Sequence, residues 1–348
     1  MSDPVGIKQY GISELRSLME SWGEPAFRVT QLVRWLYSVG VSSYQQMTDL
    51  PKPLRLRLED WAPLFLPTIV DCQKSSDGTQ KYVLQLADGL SVEAVGIPDH
   101  SRLTVCFSTQ AGCSMGCVFC TTGSSGLHRS LAAGEMVDQL TVVSQNMKAR
   151  ATNAVAMGEG EPFANYDATL AALRILNSPD GPGIGARRLT VSTCGTIRQI
   201  DRFTQEPEQF TLAVSLHSAV QSTRDKLMPA LTGQRLDALR QSLIRYTDTT
   251  GRRLSLEVVL IDKVNDTPEE VRALLEFARG LLCHVNLIPL NPLAKTGQKA
   301  SMALKPSSSE RISEIAAVFR KSGIECSIRR SRGADILGAC GQLKGTRP

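Results

Sequence analysis

Three thiols stand within eight residues of this 348-residue chain, in Cys113-Ser114-Met115-Gly116-Cys117-Val118-Phe119-Cys120. Cysteine ligates metal as thiolate, and a short loop holding a small residue such as Gly116 can wrap around one inorganic centre. Iron–sulfur clusters are usually held by four cysteines, so a compact set of three leaves one iron open to another ligand. Spacing alone leaves two other readings standing. Zinc also takes short cysteine spacings, completed by a fourth Cys or His; His128 is near in sequence but has no paired partner. Ordinary loop cysteines are the third reading.

Further candidates are spread along the chain. Gly158-Glu159-Gly160-Glu161-Pro162 combines glycines, which let backbone approach a ligand closely, with a carboxylate that can receive an ammonium group. A plain turn has the same composition. Ser192, the run Ser215-Leu216-His217, and Asn291 each close an apolar run, where a routine polar strand end is the simpler reading. A lone His such as His217 is more often a hydrogen-bonding core residue than an acid or base. Cys340 lies in a glycine-rich tail near Arg329, Arg330 and Arg332, and nearby cations favour thiolate. Cys106 comes seven residues before Cys113. Taken alone, both cysteines read as structural, and Glu93 reads as an exposed strand carboxylate. Cys72, Cys283 and Cys326 read as small buried hydrophobes.

The elements that must position these residues follow from periodicity. Leu15, Leu18, Met19 and Trp22 fall at helical spacing with Ser13 as a candidate N-cap. Leu32, Trp35, Leu36 and Val39 repeat the pattern up to Gly40, and Pro51 can open a third helix over 54–59. Strands are expected at 68–71, 80–86 and 90–97, turned by Asp77-Gly78 and Asp88-Gly89. From Leu103 strand-like runs (103–107, 154–157, 189–193, 211–216, 255–261, 284–290, 326–328) alternate with helical stretches such as 135–148, 166–176, 268–278 and 309–322. Repeated βα units give a parallel sheet, open or closed as a barrel. The expected division is a helical accessory segment over 1–66, a β extension over 67–100 and a catalytic core over 101–348. Functional residues of such a core gather where strands end and loops begin.

Composition bounds the rest. Hydrophobic content of 42% and charged content of 21% belong to a soluble globular protein. No apolar run approaches the roughly 18 residues of a membrane span, and Met1-Ser2-Asp3-Pro4 begins no signal peptide. A cytoplasmic protein is expected. Nine cysteines, an odd number in a long chain, do not resemble a secreted disulfide framework. From Lys295 to Pro348 eleven Lys and Arg face four Asp and Glu, a local charge of +7 against +5 for the whole chain. A basic end suits a polyanion such as RNA, or simply a solvated surface.

The chain resembles the RlmN/Cfr family of radical S-adenosylmethionine (SAM) RNA methyltransferases from about Gly11 to Leu343. The likeness rests on the cysteine triplet, on Val105-Cys106-Phe107-Ser108-Thr109-Gln110-Ala111-Gly112 before it, and on Arg332-Gly333-Ala334-Asp335-Ile336 and Ala339-Cys340-Gly341-Gln342-Leu343. It implies an α/β fold, a partial (β/α)6 barrel with a small helical RNA-binding segment and a short antiparallel extension. It implies a [4Fe–4S] cluster on Cys113, Cys117 and Cys120, and SAM against Gly160, Glu161, Ser192, Ser215, Leu216, His217 and Asn291. Cys340 would carry a methyl group from one SAM, and a second SAM would supply the radical that activates it toward the adenine ring. Cys106 would resolve the resulting protein–RNA link, leaving a disulfide, while Glu93 accepts the ring proton. The implied substrate is C2 of adenosine in 23S rRNA, with tRNA as a further candidate. An external donor such as a flavodoxin and a monomeric state complete the expectation. Gly160-Glu161-Pro162 and Arg330-Ser331-Arg332-Gly333 resemble the C2-directed branch; the C8-directed, Cfr-type branch is the nearest alternative, and a zinc-bearing, non-catalytic RNA-binding protein is the rival from another class. Glu159, Cys194 and Ala334 depart from the family's usual Met, small residue and acid.

Overall fold

The computed structural model describes residues 6–291 and 304–343. The opening Met1-Ser2-Asp3-Pro4, and Lys295, Lys299, Lys344 and Arg347 of the basic C-terminal portion, lie outside the described residues.

The chain begins with helices α1 (Ile12–Ser21), α2 (Phe27–Val33) and α3 (Lys52–Trp61). Gly11, not Ser13, caps α1: the Glu14 carboxylate accepts the Gly11 N–H, so the helix starts two residues earlier than the hydroxyl suggested. The backbone after α2 widens into a π-type turn over Arg34–Val39. Gly40 then stops it at φ 71°, a left-handed conformation glycine adopts without cost. Pro51 caps α3, which extends two residues beyond the expected 54–59 at each end.

Strands β1 (Thr68–Lys74), β2 (Gln80–Gln85), β3 (Ser91–Asp99) and β4 (Arg102–Cys106) form an antiparallel meander. β4 then changes the rule of the sheet, pairing antiparallel with β3 and parallel with the next core strand. Between them lies a small second sheet of β5 (Gln110–Cys113) and β6 (Gly126–Ser130), joined through the short helix α4 (Thr121–Ser125). Sequence patterning did not show this sheet, because both strands are short, poor in β-branched residues and interrupted by a register shift at Ala111/Gly112.

β4 opens a series of six βα units. They comprise α5 (Ala133–Met147), β7 (Asn153–Ala156), α6 (Tyr166–Asn177), β8 (Leu189–Thr193), α7 (Ile197–Phe203), β9 (Thr211–Ser215), α8 (Gln221–Leu227), α9 (Leu236–Thr250), β10 (Leu254–Leu260), α10 (Pro268–Ala278), β11 (Cys283–Pro289) and α11 (Ser309–Lys321). The three-residue β12 (Cys326–Ile328) ends the series. Strand order is β1-β2-β3-β4-β7-β8-β9-β10-β11-β12, parallel from β4 onward and open, with β1 and β12 as edges. This is the mixed α/β, partial-barrel architecture expected of a radical SAM core. One contiguous apolar core runs from Ile7 through the helical segment and the strands to Phe319. No helix among the described residues is long and apolar enough to cross a membrane.

Candidate active site

The cysteine triplet occupies the loop between β5 and α4, at the end of the sheet where β7 to β11 finish. Gly112 makes the turn possible: its φ is 77°, and a Cβ there would meet the Gly126 carbonyl oxygen at 2.0 Å. Two elements distant in sequence hold the loop. The Val118 N–H donates to the Leu227 carbonyl of α8 at 3.1 Å, and the Thr121 N–H donates to the Gly341 carbonyl at 2.8 Å. The Thr122 hydroxyl adds a bond to the Leu343 carbonyl at 2.6 Å. The C-terminal segment is thereby laid against the triplet.

Cys113, Cys117 and Cys120 line one cavity together with Gly160, Glu161, Ser192, Ser215, His217, Asn291 and Cys340. The space between these walls is a cavity partly open to solvent. Leu216 is the exception among the expected contacts. Its side chain is buried in the apolar core, and its N–H donates to the Glu257 carbonyl. An adjoining cavity is lined by Cys106 as well as Cys340, with Met157, Ile288, Asn291, Arg329 and Cys340 forming walls of both. Asn291 Nδ2 donates to the Cys340 carbonyl at 3.1 Å and so pins the residue that faces both spaces.

All nine cysteines are free thiols, so Cys106 and Cys340 stand as a reduced pair, and the disulfide expected after turnover is not formed in this structure. Burial and the nearness of Cys340 push the Cys106 thiol up to about 12, while the Arg329 guanidinium pulls it down. Burial likewise pushes Cys113 up to about 11 and raises Cys117 and Cys120. Each of the three also raises or is raised by a neighbouring thiol, so deprotonation of the set calls for a bound cation. The thiols surround a space and do not converge on a point: among the described residues no group of three or more His, Cys, Asp or Glu could hold a single metal ion.

The carboxylates divide by position. Glu161, at the end of β7, accepts from the Phe163 N–H (2.9 Å), the Thr193 hydroxyl (2.7 Å) and the Cys194 N–H (2.8 Å). Burial raises it and these donors lower it. Gly160 beside it takes φ 97°, and a Cβ there would strike Gln110 at 2.6 Å. Glu159 is turned away from the cavity. Its carboxylate accepts the Glu93 N–H at 2.8 Å and the Gly112 N–H at 3.1 Å, tying β3 to β5, and burial pushes it up to about 8. Glu93 lines neither cavity; it is buried on β3 with Lys81 Nζ 3.3 Å from its carboxylate. The register Lys81↔Val95↔Cys106 puts Glu93 on the same face of the sheet as Cys106.

His217 holds a positive φ of 59°. Its Nδ1 accepts the Val259 N–H at 3.1 Å, which leaves the ring proton on Nε2. Burial, with the charge of Arg224, lowers its pKa to about 3, so it is neutral. Glu257 was not a sequence candidate. It lines the main cavity, accepts from Ser255 Oγ (2.7 Å) and Asn286 Nδ2 (2.8 Å), and lies 3.8 Å from Arg329. Its one visible signal was a charge inside the apolar run Leu254–Leu260.

Residues 7–64 match the ribosomal RNA large subunit methyltransferase N-terminal domain, and residues 107–278 match the radical SAM superfamily. The chain is 42% identical over 351 aligned positions to a protein of Opitutus terrae named "Probable dual-specificity RNA methyltransferase RlmN 3", covering 96% of this chain and 92% of that one. It is 38% identical to the "Dual-specificity RNA methyltransferase RlmN" of Syntrophobacter fumaroxidans, with 98% of each chain covered. The crystal structure of a radical SAM methyltransferase from Sphaerobacter thermophilus superposes with a TM-score of 0.91 at 41% identity, covering 98% of this chain and 99% of that one.

Proposed function

Since the chain belongs to the RlmN family of radical SAM RNA methyltransferases, we propose that it methylates C2 of an adenosine in 23S rRNA, with tRNA as a second substrate. The observation that carries this reading is the docking of the C-terminal segment, which puts Cys340 in the wall of the triplet cavity and of the Cys106 cavity at once.

Family membership implies a [4Fe–4S] cluster and SAM, and the residues fit them. Three thiols share one cavity, with Glu161, Ser192, Ser215, neutral His217 and Asn291 around it as polar contacts for an amino acid and a nucleoside. Leu216 would contribute backbone alone. Bound there, the cluster and two SAM molecules per turnover would supply a methyl group and one-electron hydrogen abstraction.

The chain's own part is sulfur and proton chemistry. Cys340 takes the methyl group as S-methylcysteine, because C2 of adenine is electrophilic and cannot attack the SAM methyl directly. Once the activated methyl carbon is joined to C2 (the adduct would then return one electron to the bound cluster), the Cys106 thiolate attacks the sulfur of Cys340. An S–S bond forms as the S–C bond to the RNA adduct breaks, and the released carbon keeps that bond's electron pair and takes up a proton to become the methyl group. Glu93 accepts the C2 proton, from a position on the Cys106 face of the sheet. Arg329, half-buried beside the two thiols and 3.8 Å from Glu257, pulls the Cys106 thiol down toward its anionic form. Residues 1–66 serve as the RNA-binding accessory segment, 67–100 as the β linker and 101–348 as the catalytic core, in a cytoplasmic monomer served by a flavodoxin-like reductant.

Nucleoside mass spectrometry tests the proposal. Unmodified 23S rRNA and tRNA are incubated anaerobically with reconstituted protein, SAM and reductant. 2-Methyladenosine in rRNA is expected, and its appearance in tRNA would establish the second substrate. 8-Methyladenosine would overturn the C2 assignment, and unmethylated RNA from protein that still cleaves SAM would overturn the substrate.

A further inference from the structure

We infer that Arg224 is the counter-charge of the iron–sulfur centre, a positioning residue that stabilises the centre's reduced form without touching SAM or RNA. The inference rests on the cluster assignment to Cys113, Cys117 and Cys120 and adds to it a residue in the wall behind them.

Arg224 lies on α8 and is only 1% exposed. A guanidinium is almost never buried so completely unless a negative group meets it, because removing the charge from water costs several kcal/mol. Among the described residues no carboxylate meets it. Nη2 donates to the Cys194 carbonyl at 2.7 Å, and Nε has no hydrogen-bond partner among the described residues. The neighbouring Asp225 is engaged by Gln221 and is the weakest of the charges Arg224 feels; the Cys194 and Cys117 sulfurs act on it more strongly. The same helix holds the triplet loop through Val118 and Leu227, and Val118 and Cys117 pack against the buried apolar cluster that contains Leu227 and Met228. The guanidinium's field reaches into the cavity, where it helps keep His217 neutral.

On this inference the answering negative charge is that of the centre held at Cys117 and its two partner cysteines. Three thiolates around a [4Fe–4S] core carry net negative charge, and one-electron reduction makes the site one charge more negative. A fixed cation in a dry wall favours that form, since charges interact strongly where the effective dielectric is low. Arg224 should thus raise the reduction potential, and Lys, which keeps the charge, should largely replace it.

The test is an anaerobic redox titration of reconstituted full-length protein with dithionite, followed by electron paramagnetic resonance, in the absence of SAM. Wild type, Arg224→Lys, Arg224→Met and Arg224→Gln are compared, with circular dichroism and iron content measured on each. Lower midpoint potentials in the Met and Gln variants, with Lys near wild type, are expected. Folded Met and Gln variants that lose iron while Lys retains it would support the same role. Unchanged potentials in the neutral variants, or equal failure of Lys with Met and Gln, would overturn the inference while leaving the cluster in place. A wild type that takes up no iron would overturn the cluster assignment, and this inference with it.

Discussion

At the scale of single residues, the proposed chemistry gives different roles to two thiols that border one cavity. Cys340→Ala removes the proposed methyl acceptor, so methyl transfer should fall to background while iron content stays at the wild-type level. Cys106→Ala should instead accumulate protein covalently joined to RNA, visible as a nuclease-sensitive shift on a denaturing gel. Free methylated RNA from that variant would show that another group resolves the adduct. The triplet was legible because its chemistry is written in local spacing. Arg224 and Glu257 were not, because one lies mid-helix and the other mid-strand, and only packing brings each to the site. Glu93 was misread in exposure for a related reason: an isolated charge on a strand says nothing about the Lys81 that shares its face and allows it to be buried.

Elements explain why a cysteine more than 200 residues downstream reaches the triplet. The expected alternation of strands and helices placed most of the sheet, since apolar runs of five to seven residues between helical stretches persist whatever surrounds them. The β5–β6 sheet and the docking of residues 339–343 escaped that reading, because their bonds are made backbone to loop and leave no periodic trace. The docking can be loosened at one point. Thr122→Val keeps the shape of the side chain and deletes its bond to the Leu343 carbonyl. Loss of about 1 kcal/mol of hydrogen bonding should raise local opening of the segment about fivefold. Hydrogen exchange at the amides of 339–343 should quicken by that factor while β7 to β11 keep their protection. Unchanged exchange would mean that Thr121 and Asn291 hold the segment by themselves.

Across the whole molecule, the helical segment and the barrel are built as one body, and a buried ion pair fastens them. Lys8 reaches Asp138 on α5, and both side chains are nearly inaccessible. Gly134 lets the two backbones close, since a Cβ there would meet the Lys8 carbonyl oxygen at 2.3 Å. The accessory segment seen in the sequence as separate helices therefore has no independent floor; Ile7, Leu15 and Met19 belong to the same core as α5 and the strands. Lys8→Met should cost about 3 kcal/mol, because it strands a carboxylate in the interior. Burial already pushes Asp138 up and Lys8 pulls it back; without Lys8 its pKa rises further. A carboxyl raised in the folded state holds its proton where the unfolded chain has lost one, so folding weakens as pH rises through that window. The deficit of the variant should accordingly be small near pH 4, where Asp138 is protonated in both folded proteins, and grow toward pH 8. Urea unfolding at several pH values measures it. Adding Asp138→Asn should recover much of the loss at pH 8 and flatten the dependence. A deficit independent of pH would place the cost in lost packing around the lysine stem and not in the stranded charge.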